Sequence, residues 1–405
     1  MDVDQWLERQ RVVKQAFSPT APINRKDLFA GRVSQMIALI DGVEEAGQHL
    51  VLFGERGVGK TSLAAVTSGI LSLSAMTVRV NCQAGDTFSS VWKRAFQELT
   101  ITTVVDGVGF GSDPKVTVQS ALEALNLPDN LIADDVRSSL AVLSVERAVV
   151  IFFDEFDRMT DADVHRAFAD TIKTLSDQGV AATIVIVGVA DDVNGLITEH
   201  ASVERALAQI SMPRMSAQEL GEIVDRGLES INFTIEPSAR RRITRLSQGL
   251  PHYTHLLGQQ AAMTAAFRES TRVENDDIST AISNALQRTQ ESIADNYYAA
   301  TYSTRQTNMY PEVLLACAVT RADDRGYFSA AAVRDSLSEI LGRRMEIPQF
   351  AGHLNAFSSD RGPILRKEGV QRNFRYRFRN PLMQPYVLMR GVKDELIKPT
   401  LLDRI

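Results

Sequence analysis

Apolar positions along the chain fall into two regimes. Between residues 28 and 212, short strand-like runs at 50–53, 77–81, 149–153 and 183–189 alternate with stretches whose apolar positions recur every three to four residues. Val, Ile, Leu and Phe runs of this length mark strands buried on both faces, and the helical stretches between them mark crossovers, so the pattern predicts a parallel sheet covered by helices. Beyond Pro213 the strand-like runs stop. Helical periods take over at 216–230, 237–247, 252–267 and 275–288, the last extending to 302 in its longer reading, with Asn275 as N-cap ahead of Asp276 and Asp277. After Thr307 three short helical patterns, 310–319, 329–341 and 348–357, precede a hairpin in which 363–367 returns as 374–378. Three helices and a hairpin predict a winged helix-turn-helix. Residues 101–117, rich in Gly and β-branched side chains without a period, read as an inserted loop or hairpin.

A helix over 4–17 and a path extended by Pro19 and Pro22 stand ahead of the first strand. The expected division is therefore a lead-in at 1–25, an α/β core at 26–213, a helical subdomain at 214–304 and a winged-helix domain at 305–405.

Composition narrows the function classes. With 405 residues, 44% hydrophobic and 23% charged, the chain has globular rather than disordered usage. Its apolar runs are too short for a membrane span and its acidic start lacks a signal peptide's basic region, so a cytoplasmic protein without membrane contact is expected. Two cysteines, Cys82 and Cys317, make neither a disulfide framework nor a structural zinc site. Charge is uneven: residues 1–304 carry 27 Lys and Arg against 39 Asp and Glu, whereas residues 305–405 carry 17 against 11. The C-terminal excess suits an anionic partner or simply a solvated face.

Two motifs carry chemistry. Gly54-Glu55-Arg56-Gly57-Val58-Gly59-Lys60-Thr61 fits G-x-x-x-x-G-K-[ST], follows a strand and, with Ser62, opens a helix. Its glycines let backbone N–H groups wrap phosphates at a helix N-terminus, Lys60 reaches the β- and γ-phosphates, and Thr61 offers a hydroxyl to Mg²⁺. The strand at 149–153 ends in Asp154 and Glu155. Asp154 can hold the Mg²⁺ shell and Glu155 can orient and deprotonate an attacking water; the alternative is a solvated strand end. No Asn-Lys-x-Asp occurs, so a guanine-specific site lacks its usual signature.

In these motifs the chain resembles AAA+ ATPases of the STAND and origin-recognition initiator kind, over nearly its whole length. The resemblance implies a P-loop parallel-sheet core, a helical lid, a C-terminal winged helix, and ATP/ADP with Mg²⁺ as ligands. Phe29-Ala30-Gly31-Arg32 is similar to the family's N-terminal box, which lies against adenine. Asn81 matches a polar position that can restrain the catalytic glutamate, with a turn-forming Asn as the alternative. Gly249-Leu250-Pro251-His252 resembles the lid's G-x-P motif, where Pro251 touches the base; His252 stands where a γ-phosphate-sensing Arg is usual, or simply packs in the lid. Arg205 matches the arginine that reaches a neighbouring subunit's γ-phosphate, with a surface ion pair as its alternative and Arg214 as second candidate. The fourth strand ends Gly188-Val189-Ala190-Asp191, without the usual Asn, Ser or Thr, leaving open whether Asp191 substitutes.

The winged helix reads both ways. Its recognition helix, 347–359, has no Lys or Arg, although Gln349, His353 and Asn355 could contact bases. The hairpin alternates Phe374, Tyr376 and Phe378 with Arg375, Arg377 and Arg379, which would bury aromatics on one face and present guanidinium groups on the other. Such a wing could grip nucleic-acid phosphates or dock an acidic protein surface. The expected function is a slow ATP-hydrolysing switch that controls self-assembly, as a homo-oligomer, or capture of a separately encoded effector. The alternatives are a DNA-binding initiator or loader and a tightly nucleotide-locked interaction module with little turnover.

Overall fold

A computed structural model describes residues 3–19, 29–105, 115–190, 203, 205–304, 308–323, 325–370 and 373–397. The first half runs α1 (Val3–Ala16), α2 (Val33–Glu44), β1 (His49–Gly54), α3 (Lys60–Leu71), β2 (Met76–Asn81), α4 (Phe88–Glu98), β3 (Thr100–Val105), β4 (Lys115–Ser120), α5 (Ala121–Ala124), α6 (Ala133–Leu143), β5 (Val149–Asp154), α7 (Ala162–Asp177), β6 (Ala182–Val189) and β7 (Leu207–Ser211). The four expected strands form and β7 adds a fifth, giving an all-parallel sheet in the order β2-β5-β6-β1-β7. The sequence reading passed over β7 because Leu-Ala-Gln-Ile-Ser is short and only half apolar; it pairs with β1 at the sheet's edge. The segment read as loop or hairpin begins and ends as an antiparallel pair, β3 with β4; its middle lies outside the described residues.

Alternation along the strands sends side chains to two cores. Val51, Ile151, Phe153, Ile184 and Ile186 face one layer, where Trp92 and Phe168 pack against Phe153 and Phe156 packs against Phe168. Leu50, Leu52, Val150, Phe152, Val185 and Val187 face the other, whose apolar contacts continue without a break into the helical and C-terminal parts of the chain.

The helical part comprises α8 (Ala217–Glu229), β8 (Thr234–Ile235), α9 (Pro237–Leu246), α10 (Pro251–Phe267), β9 (Arg272–Val273), α11 (Asn275–Arg288) and α12 (Glu291–Thr301). The longer reading of the last helix is corrected: Thr289 and Gln290 are extended and separate α11 from α12. Its N-cap is Glu274 rather than Asn275, with Asp277 accepting from the Glu274 N–H at 2.7 Å, as in a capping box. Helix α10 is buried along nearly its whole length. The lead-in helix α1 packs on it: the Phe17 ring lies where a Cβ at Gly258 would come within 2.7 Å, and Gln259 donates to the Phe17 carbonyl at 3.1 Å. No helix among the described residues is long and apolar enough to cross a membrane.

The C-terminal part runs α13 (Tyr310–Val319), β10 (Phe328–Ser329), α14 (Ala330–Leu341), α15 (Ile347–Ser358), β11 (Leu365–Val370), β12 (Asn373–Phe378) and α16 (Met383–Lys393). Three helices, with β10 between the first two, and the hairpin β11–β12 that completes an antiparallel β10-β12-β11 sheet make a winged-helix arrangement. Helix α16, which the sequence reading did not name, buries Tyr386, Val387, Leu388 and Met389 beside α13 and α11. Tyr253 of α10 donates to the Leu382 carbonyl at 2.8 Å, a second tie between the helical and C-terminal parts.

Candidate functional site

The loop between β1 and α3 is held by its glycines. A Cβ at Gly54 would come within 2.5 Å of the Met212 carbonyl, and Gly59 at φ 96° turns the chain into α3 in a conformation L side chains rarely adopt. The turn aims the first N–H groups of α3 into a polar cavity of about 600 Å³. Gly57, Gly59, Lys60, Thr61, Ser62, Asp154, Glu155 and Asp157 line it, with Arg56 and Arg158 at its rim.

Lys60 is 8% exposed and donates to the Gly54 and Glu55 carbonyls at 2.9 and 2.8 Å. Burial lowers its pKa to about 8 against the opposing pull of Asp157, Asp154 and Glu55. Asp154 ends β5, is 3% exposed, and its Oδ1 accepts from the Glu155 N–H at 2.9 Å. Its Oδ2 is buried without a hydrogen-bond partner among the described residues. Burial raises the Asp154 pKa, opposed by Thr61 and the Glu155 N–H. An orphaned carboxylate oxygen beside the Thr61 hydroxyl, in a phosphate-sized polar cavity, is a donor set that fits a hard divalent cation.

Glu155 follows in a left-handed conformation, φ 56°, and its Oε2 accepts from Arg158 Nη1 at 2.8 Å. The Glu155 side chain is exposed and lines the polar cavity. Arg158 is thus the side chain that pairs with Glu155. Asn81 lies beside Asp154 in the β2–β5 register, but no hydrogen bond joins it to Glu155 among the described residues. The sequence reading missed Arg158, although its spacing of three from Glu155 was a usable signal.

A second cavity of about 230 Å³ adjoins the first, sharing Gly59 and Ser62. Its wall is mostly apolar: Phe29, Ala30, Val58, Met215, Ile223 and Pro251, with Arg32, His252 and His255. Arg32, 3% exposed, donates Nη2 to the Pro213 and Val58 carbonyls, and its own N–H donates to Glu219 Oε1 at 3.2 Å. Burial lowers the Arg32 pKa and Glu219 opposes that shift. Arg32 ahead of α2, Val58 and Gly59 of the loop, and Pro251 at the start of α10 thus line one cavity.

Other expected residues are placed as follows. His252 lines the apolar cavity and not the polar one; its Nδ1 donates to the Pro19 carbonyl at 2.7 Å, and burial lowers its pKa, the setting of the packing alternative. Arg214 is engaged within its own chain, through Glu55 at 2.8 Å and Gln384 at 2.6 Å. Arg205 is exposed in the turn before β7 and does not line the polar cavity. Asp191 lies outside the described residues.

In the winged helix, Tyr376 and Phe378 are buried and Arg375 and Arg379 exposed, as the alternation predicts. The arginine face is locally balanced, however. Arg375 bridges Asp323 at 3.2 Å and lies opposite Glu368, Arg377 stacks over Tyr327, and Arg379 lies beyond the strand's end, where it donates to the Leu365 carbonyl at 3.5 Å. The expected base readers are also occupied. Gln349 caps its own helix, Asn355 accepts from Lys367 at 2.7 Å, and His353 packs on Tyr310.

Residues 19–356 match the family model described as nSTAND1, Novel STAND NTPase 1. Among solved structures, a Walker-type ATPase of Pyrococcus abyssi is 16% identical, with 91% of this chain and 98% of that one covered and a TM-score of 0.52. The ORC2 protein of Aeropyrum pernix, solved as ADPNP–ADP complexes, is 12% identical over 96% and 98% of the two chains, with a TM-score of 0.50. Likeness at this identity is likeness of fold. No curated protein matches the chain.

Proposed function

This chain belongs to the novel STAND NTPase 1 family, and from that premise we propose that it is an ATP-binding, ATP-hydrolysing switch whose nucleotide state controls self-assembly or partner capture. The observation that carries the reading is the pairing of cavities. A polar one ringed by Lys60, Thr61 and Asp154 opens at Gly59 and Ser62 onto an apolar one walled by Phe29, Ile223 and Pro251. A phosphate chain and a flat base joined by a sugar have that shape and polarity.

In this reading residues 26–213 bind and react, residues 214–304 close over the base, and residues 305–405 carry the output. Gly54 to Ser62, with Glu55, Arg56 and Val58 between the glycines, wrap the phosphates. Lys60 neutralises them in the ground state, and Arg32 and Pro251 hold the base side. Thr61 and Asp154 would hold Mg²⁺, which supplies charge neutralisation across the β- and γ-phosphates. Glu155 takes the proton from the attacking water. While Arg158 holds its carboxylate, that proton transfer waits, which favours slow turnover. Arg205, exposed and outside its own cavity, suits a role on a neighbouring subunit.

The test is particle mass without nucleotide, with ADP and with ATP, for wild type and Glu155→Gln. A mass that grows with ATP and persists in Glu155→Gln supports the switch. An unchanged mass in every state contradicts it.

A further inference from the structure

One buried group has no function in the scheme above. His255 sits one turn beyond Pro251 on the same face of α10, is 5% exposed, and lines the apolar cavity. Neither of its ring nitrogens has a hydrogen-bond partner among the described residues. Nearly all buried side-chain polar atoms in folded proteins are paired, and leaving one unmet costs about 1–3 kcal/mol. The ring is nonetheless fixed in place: Phe17 meets it edge to face with centroids 6.1 Å apart. Burial lowers its pKa to about 4, so the imidazole is neutral and keeps one N–H and one lone pair.

The remaining wall offers few rivals for a polar ligand atom. His252 is spent on the Pro19 carbonyl, Ser18 and Ser62 have interactions of their own, and Phe29, Met215, Ile223 and Pro251 are apolar. Among the described residues, Arg32 Nε is the other buried donor at this cavity without a hydrogen-bond partner. A flat ring that stacks on apolar side chains and brings both an amine and an unprotonated ring nitrogen would satisfy the two. Adenine carries that pair on neighbouring atoms.

Resting on the nucleotide reading of the adjoining cavity, we propose that His255 reads the base: a ring nitrogen accepts a hydrogen bond from the exocyclic amine of adenine, making His255 a specificity-determining residue of the site. An acceptor held in place in a mostly apolar cavity discriminates against a base that lacks the amine, because the nitrogen is then left unmet. This role differs from that of the loop, which grips phosphates irrespective of the base.

The test uses the full-length chain with Mg²⁺ and three probes: ADP, purine riboside 5′-diphosphate, which lacks only the amine, and inorganic tripolyphosphate. Wild type should bind ADP about five- to tenfold more tightly than the purine analogue, the equivalent of one good hydrogen bond. His255→Phe, which keeps the ring's bulk, should bind the two equally while holding tripolyphosphate as wild type does. His255→Asn, which restores an acceptor, should recover part of the preference. Equal affinity of wild type for ADP and the analogue overturns the proposal without recourse to a variant, as does a preference that survives in His255→Phe. Wild type that binds tripolyphosphate but binds ADP no more tightly leaves the phosphate loop intact and removes the base reading. Failure to bind any of the three probes instead overturns the nucleotide reading itself.

Discussion

Arg214 Nε donates to Glu55 Oε2 at 2.8 Å, joining the strand-β7 side of the core to the phosphate loop. The same guanidinium donates to the Gln248 carbonyl at 3.2 Å and to Gln384 Oε1 at 2.6 Å, and Gln384 in turn donates to Gln248 Oε1 and the Ala318 carbonyl. One side chain therefore ties a loop residue, the helical part and the start of α16. The Arg214 and Glu55 side chains are 26% and 20% exposed, so solvent screens the pair only partly. Arg214→Ala should cost about 1–2 kcal/mol of stability and expose the region around α16 to limited proteolysis. Unchanged protease sensitivity in both Arg214→Ala and Gln384→Ala would show that the junction does not hold the C-terminal part in place.

Arg158 and Glu155 make an exposed ion pair, which solvent screens strongly. Freeing Glu155 by Arg158→Ala should therefore raise steady-state ATP hydrolysis by a few-fold at most. A fall in the rate would mean that Arg158 positions the reaction instead of restraining it.

Lys60 predicts a pH dependence with a definite sign. Its pKa in the folded chain is lowered from 10.5 to about 8, so between those values the unfolded chain binds more protons than the folded one. Stability of the nucleotide-free protein then rises with pH from about 8 to 10.5, and below pH 8 it bears the full cost of a buried charge. Lys60→Met should stabilise the nucleotide-free protein at pH 7 by about 1–3 kcal/mol, an advantage that shrinks as pH approaches 10. Phosphate affinity of wild type should fall as pH rises through 8, where Lys60 loses its proton. Denaturant melts at pH 7 and 9.5 check the first, and ADP titrations at the same values check the second.

How much of this was legible in the chain depends on the range of the interactions. The phosphate loop, Asp154 and Glu155 are contiguous motifs, and the buried strands announce themselves through apolar runs such as Val149–Phe153. The division into a parallel sheet, helices and a three-helix module with a hairpin followed from periodicity alone. Strand β7 did not, since its stability comes from pairing with β1 rather than from its own five residues. Arg214 could not be assigned from sequence, because Glu55, Gln248 and Gln384 are scattered over more than three hundred positions and meet only in the fold. His252 is the opposite case: it occupies a familiar motif position, but the Pro19 carbonyl of the distant lead-in claims its ring.

The wing arginines give a further expectation. With Arg375 bridged to Asp323 and Arg377 stacked on Tyr327, the face has less free positive charge than its sequence suggests. Replacing Arg375, Arg377 and Arg379 together by Ala should leave ATP hydrolysis near wild type and impair nucleotide-dependent assembly or partner capture. Wild-type binding to duplex DNA should be weak even at low salt. Tight DNA binding that falls steeply with salt and vanishes in the triple variant would reverse this assignment.

The central claim is that one residue of the polar cavity holds phosphate and another drives the reaction, and parallel ATP-binding and turnover measurements on Lys60→Ala and Glu155→Gln test it most directly. Lys60→Ala should lose ATP affinity. Glu155→Gln should bind ATP as wild type does while its kcat falls about 10²- to 10³-fold, the usual scale for losing a general base. Equal loss of affinity in both variants, or wild-type turnover by Glu155→Gln, would contradict the account.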